Sequence, residues 1–278
     1  MIIAFLISFC ACIAGAICGM GGGVIIKPVL DFIQFGSAST ISFMSGCTVL
    51  AMTTYSVGKS LKSGEKTVEM KTVTPLAIGA AIGGVMGKSL FNMVRDMFAN
   101  RQMVGAVQSF ALAIITIATL VYTINKTKIK TKNVSGAVGC FVIGLCLGVV
   151  SSFLGIGGGP INLVVLYYFF SMQTKVAAAN SLYIILFSQA ASVISTFVTG
   201  IPAFELSKLL TMMAGGVFGG IVGRKLSRKM DNKAVDKLFI VMMIFIIGIS
   251  FYNAYVYASS SLILPQRTKD SIFAFIGF

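Results

Sequence analysis

Apolar runs dominate the chain, cut by short clusters of charge, glycine or proline. They fall near 1–18, 24–36, 39–61, 70–93 and 103–125, then near 134–153, 160–171, 174–198, 205–223 and 234–257. Most match the roughly 18 or more residues expected of a membrane-crossing helix. The two runs that follow glycine clusters are only about twelve residues long, short of a comfortable crossing. The first run lacks a basic leader and an A-x-A-like cleavage site, so it reads as a retained helix rather than a signal peptide.

The order of runs restarts halfway. Sliding the second half back by 136 positions needs no gap from Gly19 to Leu90. Gly19-Met20-Gly21-Gly22-Gly23 then falls on Gly155-Ile156-Gly157-Gly158-Gly159, Ser45 on Ser181, Ser56 on Ser192 and Glu69 on Glu205. Gly79, Gly83, Gly84 and Gly87 fall on Gly215, Gly219, Gly220 and Gly223. One register for glycines and for polar landmarks marks an internal duplication. The expected architecture is an all-α polytopic membrane protein with about five helical segments per repeat. The first repeat is 1–125, a basic cytoplasmic linker 126–133, the second repeat 134–258 and a C-terminal tail 259–278.

Loop charge orients the repeats. If each glycine break merely kinks one crossing, the loop Lys and Arg divide 11 against 10 between the two sides. If the segments on either side of a break count separately, they divide 15 against 6, with Lys126, Lys175, Arg224 and Arg228 among the larger set. The positive-inside rule favours the second count. It also gives an odd number of crossings per half, so the repeats are expected to be inverted. Short crossings and re-entrant hairpins fit this count equally.

Composition agrees and narrows the class. The chain is 56% hydrophobic and 11% charged, with mean hydropathy +0.94; a soluble domain carries about a quarter charged residues. The net charge of +14 is spread over short loops, which points to membrane topology and away from nucleic acid. Histidine is absent, which excludes histidine catalysis and histidine metal sites. The six cysteines lack C-x-x-C spacing and read as small buried hydrophobes. No Rossmann or P-loop context is present, so no cofactor is expected and an enzyme is not.

Chemistry concentrates at the breaks. Consecutive glycines weaken a helix by about 1 kcal/mol each relative to alanine and leave backbone groups unpaired. Within hydrocarbon such groups are tolerated only against protein or a water-filled cavity. The half-helix that starts at each break offers free N–H groups and a positive dipole end, a site for an anion. The candidate substrate-binding residues are Gly21, Gly22, Gly23, Gly157, Gly158 and Gly159, with Asn162 just after the second break. Pro160 suits a helix start. Gly79-x-x-x-Gly83-x-x-x-Gly87 and its mate at 215–223 read instead as packing faces.

Lys27 is the one basic residue deep in an apolar run, and Asp31 lies four positions on, on the same helical face. One reading has Lys27 drawing in an anion while Asp31 pairs with it or couples a proton. The other is a buried structural pair or a snorkelling lysine. Their repeat mates are Leu163 and Tyr167, so the charges sit in one half only. Ser45, Asn180 and Ser181 are further candidates for the path; Gln189, Ser56 and Ser192 are weaker ones. Glu69 and Glu205, near the starts of equivalent helices, read as partners of the helix dipole.

Two copies of G-x-G-G-G in a basic membrane protein of eight to ten segments resemble the sulfite exporter TauE/SafE family of anion transporters. Gly19 to Gly23 with Pro28 and Leu30 matches the family pattern, as does Gly155 to Gly159 with Leu166; Asn180-Ser181-Leu182 is similar to its Ser/Thr-Leu patch. Lys27, Val164 in place of a second proline, and Met44-Ser45-Gly46 depart from it. The resemblance implies a multi-pass protein of the cell membrane, such as a bacterial plasma membrane. It would move a small anion (sulfite, thiosulfate or an organosulfonate) by alternating access, with proton or sodium coupling open and a homodimer compatible. An uncoupled channel-like facilitator is the first alternative. A sulfur relay through Cys10 and Cys146, which align in the repeat, is a weaker one.

Overall fold

The computed structural model describes residues 1–63, 68–97, 101–154 and 158–263. Ten α-helices and one short 3-10 turn make up the described chain. They are α1 (Ile2–Cys18), α2 (Gly23–Phe32), α3 (Ala38–Lys62), α4 (Met70–Met97) and α5 (Arg101–Asn125), followed by the turn Lys126–Lys128. The second half holds α6 (Ala137–Phe153), α7 (Gly159–Phe170), α8 (Thr174–Thr199), α9 (Leu206–Lys229) and α10 (Asn232–Ile263). These limits fall within about six residues of the apolar runs; α9 and α10 run furthest past them, to Lys229 against 223 and to Ile263 against 257. Ser37 caps α3 by accepting the Thr40 N–H at 3.2 Å, and Gly19 closes α1 in the left-handed conformation at φ 76°. The tail beyond Ile263 lies outside the described residues.

Among the described residues, five helices (in α4, α5, α8, α9 and α10) are long and apolar enough to cross a bilayer. At about 1.5 Å per residue, the ten residues of α2 and the twelve of α7 reach only about 15 and 18 Å, roughly half a hydrocarbon core. Large apolar side chains point outward along the long helices, including Ile82 and Met86 on α4, Phe110 and Ile114 on α5, Phe218 on α9 and Ile244 on α10. Against water such a belt would be costly; against lipid tails it is neutral. The chain is a multi-pass membrane protein.

The helices pair across the two halves. The most extensive contacts are α4 with α6, α1 with α9 and α5 with α10; α3 and α8 pack together and also on α9 and α4 respectively. In the repeat register α1 to α5 correspond to α6 to α10, so α1–α9 is the counterpart of α6–α4, and α3–α9 of α8–α4. Each half therefore completes the other.

Glycine makes those crossings close. A Cβ on Gly219 would lie 2.9 Å from Cys12 Cβ and against the Phe9 carbonyl, and one on Gly83 would strike the Leu145 carbonyl. Gly79, Gly87, Gly215 and Gly223 face the backbone of α6 or α1 in the same way. These stripes are packing faces, as the small-residue spacing predicts.

One end of the bundle gathers the basic residues. There Arg224 of α9 donates to the Ser56 carbonyl at 2.6 Å and to Ser63 Oγ at 3.2 Å, and Lys126 bonds Asp236 at 2.6 Å. At the other end Thr40 Oγ1 donates to the Ala203 carbonyl at 2.9 Å, and Phe43 meets Phe204 and Phe197 at 5.2 and 6.2 Å between ring centroids. Phe43 is near the start of α3 and Phe197 near the end of α8, so these two helices run in opposite directions.

Gly219→Ala is expected to cost about 1–3 kcal/mol through overpacking and to lower the melting temperature in detergent. Gly58→Ala on α3, where no atom lies within 4 Å of the new Cβ, is expected to be neutral or to stabilise by about 0.5–1 kcal/mol.

Candidate functional site

The first break is a turn only glycine can make. After Gly19 the chain reverses at Gly21 (φ 68°) and enters α2 through Gly22. A Cβ on Gly22 would lie 2.6 Å from Cys12 Sγ, and one on Gly15 would lie 2.6 Å from Gly21 C, so the turn is folded flat against α1. On its far side, Gly19 leans on α8: a Cβ there would lie 2.6 Å from the Ala178 carbonyl oxygen and 2.7 Å from its Cβ.

The second break takes a different backbone path at its described positions, where Gly158 and Gly159 have positive φ while their mates Gly22 and Gly23 do not; Gly155, Ile156 and Gly157 lie outside the described residues. Gly158 (φ 118°) is the N-cap of α7, Gly159 follows at φ 51°, and Pro160 occupies the first turn, as a helix start requires.

The two breaks meet. A Cβ on Gly159 would strike Val24 of α2, and Ile185 of α8 lies 3.1 Å from the Cβ positions of both Gly21 and Gly158. Val49 of α3, the repeat mate of Ile185, packs beside Gly21 and Gly23, and Ser45 Oγ is 3.5 Å from the Cβ position of Gly23. Neither Gly22 nor Gly158 supplies a side-chain cap. The first N–H groups of α2 and α7 have no partner within their helices, and each dipole adds about half a positive charge.

The side chains around this junction are buried without partners. Asn162 is 1% exposed, and neither its Nδ2 nor its Oδ1 makes a hydrogen bond. Its Nδ2 is 2.7 Å from the Cβ position of Gly158, so the amide folds back over the break. Ser181, 0% exposed, also has an unpaired hydroxyl. It lies on α8 between Ala178, which touches Gly19, and Ile185, which touches both breaks. A buried amide or hydroxyl left unpaired costs about 1–3 kcal/mol, so paired oxygens from a bound group would relieve the site.

Not every candidate is drawn in. The side chain of Asn180 holds the start of α4: its Oδ1 accepts the Glu69 N–H at 2.9 Å and its Nδ2 donates to the Val176 carbonyl at 2.8 Å. Lys27 is half-buried one turn beyond Gly23, with Asp31 its neighbouring opposite charge. This part of α2 is tied to α10, where Asn253 Nδ2 donates to the Pro28 carbonyl at 3.2 Å and the Tyr252 ring lies tilted against Phe32 with centroids 4.9 Å apart. Glu205 is the N-cap residue of α9, 2.8 Å from Lys208. The hydrogen bonds from Lys208 and Ser207 hold its carboxyl below the usual range, which suits a fixed charge at a helix end. Cys10 and Cys146 lie on the outer surface, whereas Cys12 is the thiol packed beneath the first break.

Sequence reasoning used Lys175, Arg224 and Arg228 only as loop charge. The structure groups them around a cavity of about 380 Å³ that reaches Ala178 and Ala16, beside the first break. Arg224 and Arg228, four apart on α9, were the available sign of a shared basic face. A smaller cavity of about 240 Å³ is lined by Lys126, Thr174, Tyr167 and Asp236. There Asp236 accepts from Lys126 at 2.6 Å and Thr174 at 3.0 Å while Lys126 lies 4.5 Å from the Tyr167 ring centre, a lock between the linker, α8 and α10.

A helical membrane bundle with two half-length helices meeting start to start, around buried unpaired polar groups, has the form of a membrane transporter. The chain belongs to the sulfite exporter TauE/SafE family, whose profile matches residues 4–251. Neither a curated protein nor a solved structure matches it.

Asn180 and Ser181 are neighbours with opposite expectations. Asn180→Ala is expected to destabilise by about 1–3 kcal/mol by orphaning the Glu69 N–H. Ser181→Ala, which removes a hydroxyl without a partner, is expected to leave the melting temperature unchanged or raised and to weaken anion binding. Thermal unfolding with and without added sulfite separates the two.

Proposed function

We propose that the chain is a secondary transporter of a small oxyanion, with sulfite, thiosulfate and organosulfonates as the substrate class. The observation that carries this reading is Asn162, whose amide is 1% exposed and unpaired where two uncapped helix starts converge. Two positive helix ends, buried donors and a low-dielectric surrounding favour an anion over a cation or a neutral solute. Gly21, Gly22, Gly23, Gly157, Gly158 and Gly159 supply backbone N–H groups, with Ser45, Asn162 and Ser181 adding side-chain donors. Lys27 adds long-range attraction, and Asp31 is placed to balance its charge or take a proton.

The repeats are inverted in this reading. The opposed directions of α3 and α8, and the matched pairings across the halves, support it. The two halves then rock about the junction, exposing the anion to each side in turn. With no nucleotide motif in the chain, the driving force is an ion gradient, the membrane potential or the substrate gradient itself. An inside-negative potential favours anion exit, by about 2.3 kcal/mol per charge per 100 mV.

Asn162→Leu is the decisive variant, because leucine matches the volume without donors. In proteoliposomes the expected result is normal or improved thermal stability with sulfite flux reduced at least tenfold, since a hydrogen bond to a charged group contributes about 1.5–3 kcal/mol. Undiminished flux in a folded Asn162→Leu protein would remove Asn162 from the site.

A further inference from the structure

We infer that Phe43, packed between Phe197 and Phe204, is the gate of the anion path at the end of the bundle opposite the basic residues, and that the path here is open toward the basic end. The repeat register carries the inference. Val49 and Ile185 are mates that both touch the first break. Six residues before each, about 9 Å along the helix, stand Phe43 of α3 and Ala179 of α8, which are mates as well. Because α3 and α8 run in opposite directions, these two positions lie on opposite sides of the junction. Ala179 lines the cavity of about 380 Å³ at the basic end. Phe43, its counterpart, puts a ring in the equivalent place and is only 6% exposed.

Neighbouring mates repeat the contrast. Leu182 and Ser60 line the cavity. Gly46, the mate of Leu182, has Gln189 Oε1 3.2 Å and Val193 3.9 Å from its Cβ position, so α3 and α8 touch there. Thr196, the mate of Ser60, is buried and accepts a hydrogen bond from Lys88 of α4. Beyond them the Phe43 ring lies 6.2 Å from Phe197 and 5.2 Å from Phe204 between centroids. Thr40 Oγ1, one turn earlier on α3, donates to the Ala203 carbonyl at 2.9 Å. Among the described residues, the start of α3 is thus closed onto the end of α8 and the turn before α9.

Three rings at this place obstruct an anion in two ways. They offer no hydrogen bond in exchange for its hydration, and their faces carry the negative side of the aromatic quadrupole. Hydrophobic constrictions gate channels on the same principle. Passage requires the start of α3 to part from the end of α8, breaking the Thr40 bond and the ring contacts together. The converse closure at the basic end meets little obstacle, since Ala178, Ala179, Ser56 and Ser60 on its walls are all small. The role of Phe43 as a gate rests on the transport reading above; the seal it makes does not.

Thiol accessibility tests the seal and cross-linking tests the gate. Val193→Cys places a thiol one turn behind Phe197, and Ser60→Cys places one in the cavity. Each is made in the full chain, in vesicles of known orientation, and an impermeant maleimide is applied to one face at a time. Modification is followed by peptide mass. Ser60→Cys is expected to react from the basic face. Val193→Cys is expected to react from the opposite face at least fivefold faster once Phe43→Ala is added. A second arm leaves Phe43 in place: Thr40→Cys with Ala203→Cys, bridged by a short bismaleimide, is expected to cut sulfite flux at least tenfold. Capping the same two thiols with a monofunctional maleimide is expected to preserve flux. A Val193→Cys rate indifferent to Phe43→Ala, a Ser60→Cys thiol that does not react from the basic face, or full flux through the bridged protein would each overturn the gate. A parent protein without sulfite flux defeats the transport reading alone, because the accessibility arm still decides whether Phe43 seals this end.

Discussion

A backbone N–H inside a bilayer must find a partner, and this constraint shapes the centre of the molecule. A continuous helix meets it automatically; a break does not. Here two breaks are brought face to face, so that the starts of α2 and α7 meet inside the bundle instead of facing lipid. Val24 packs against Gly159, and Ile185 against both Gly21 and Gly158, so the breaks meet through apolar contact. Beside that contact the Asn162 amide and the Ser181 hydroxyl are buried without partners.

The surrounding packing serves the same end. Half-helices of ten and twelve residues cannot hold themselves in place by length. They are clamped because α1 and α6 cross to the opposite half, lying against α9 and α4 through glycine stripes that let backbone touch backbone. Crossing over also means that movement of one half drags a broken segment of the other. In the transport reading proposed above, that linkage would couple the breaks to the helices that open and close the path.

Much of the fold was legible beforehand. Apolar run lengths set the ten helices, and the repeat register picked out the glycine stripes, because close backbone contact leaves no substitute for a missing Cβ. The candidate site was readable in part. Glycines, Ser45, Asn162 and Ser181 could be named, since each departs from what an apolar membrane helix requires. Neighbouring Asn180 and Ser181 could not be told apart by sequence: a rotation of about 100° between adjacent helical residues sends one to Glu69 and the other toward the breaks. Nor could loop charge reveal the cavity of Lys175, Arg224 and Arg228, which forms where the start of α8 lies beside the end of α9.

The central claim is that an anion sits between the two helix starts. Selenite, a heavier relative of sulfite with a strong anomalous signal, can be located in crystals of the full chain without assumptions about function. A peak within hydrogen-bond distance of Asn162 Nδ2, between Gly22–Gly23 and Gly158–Gly159, is the expected result. A saturating soak that leaves this junction empty, or places selenite only elsewhere in the molecule, contradicts it.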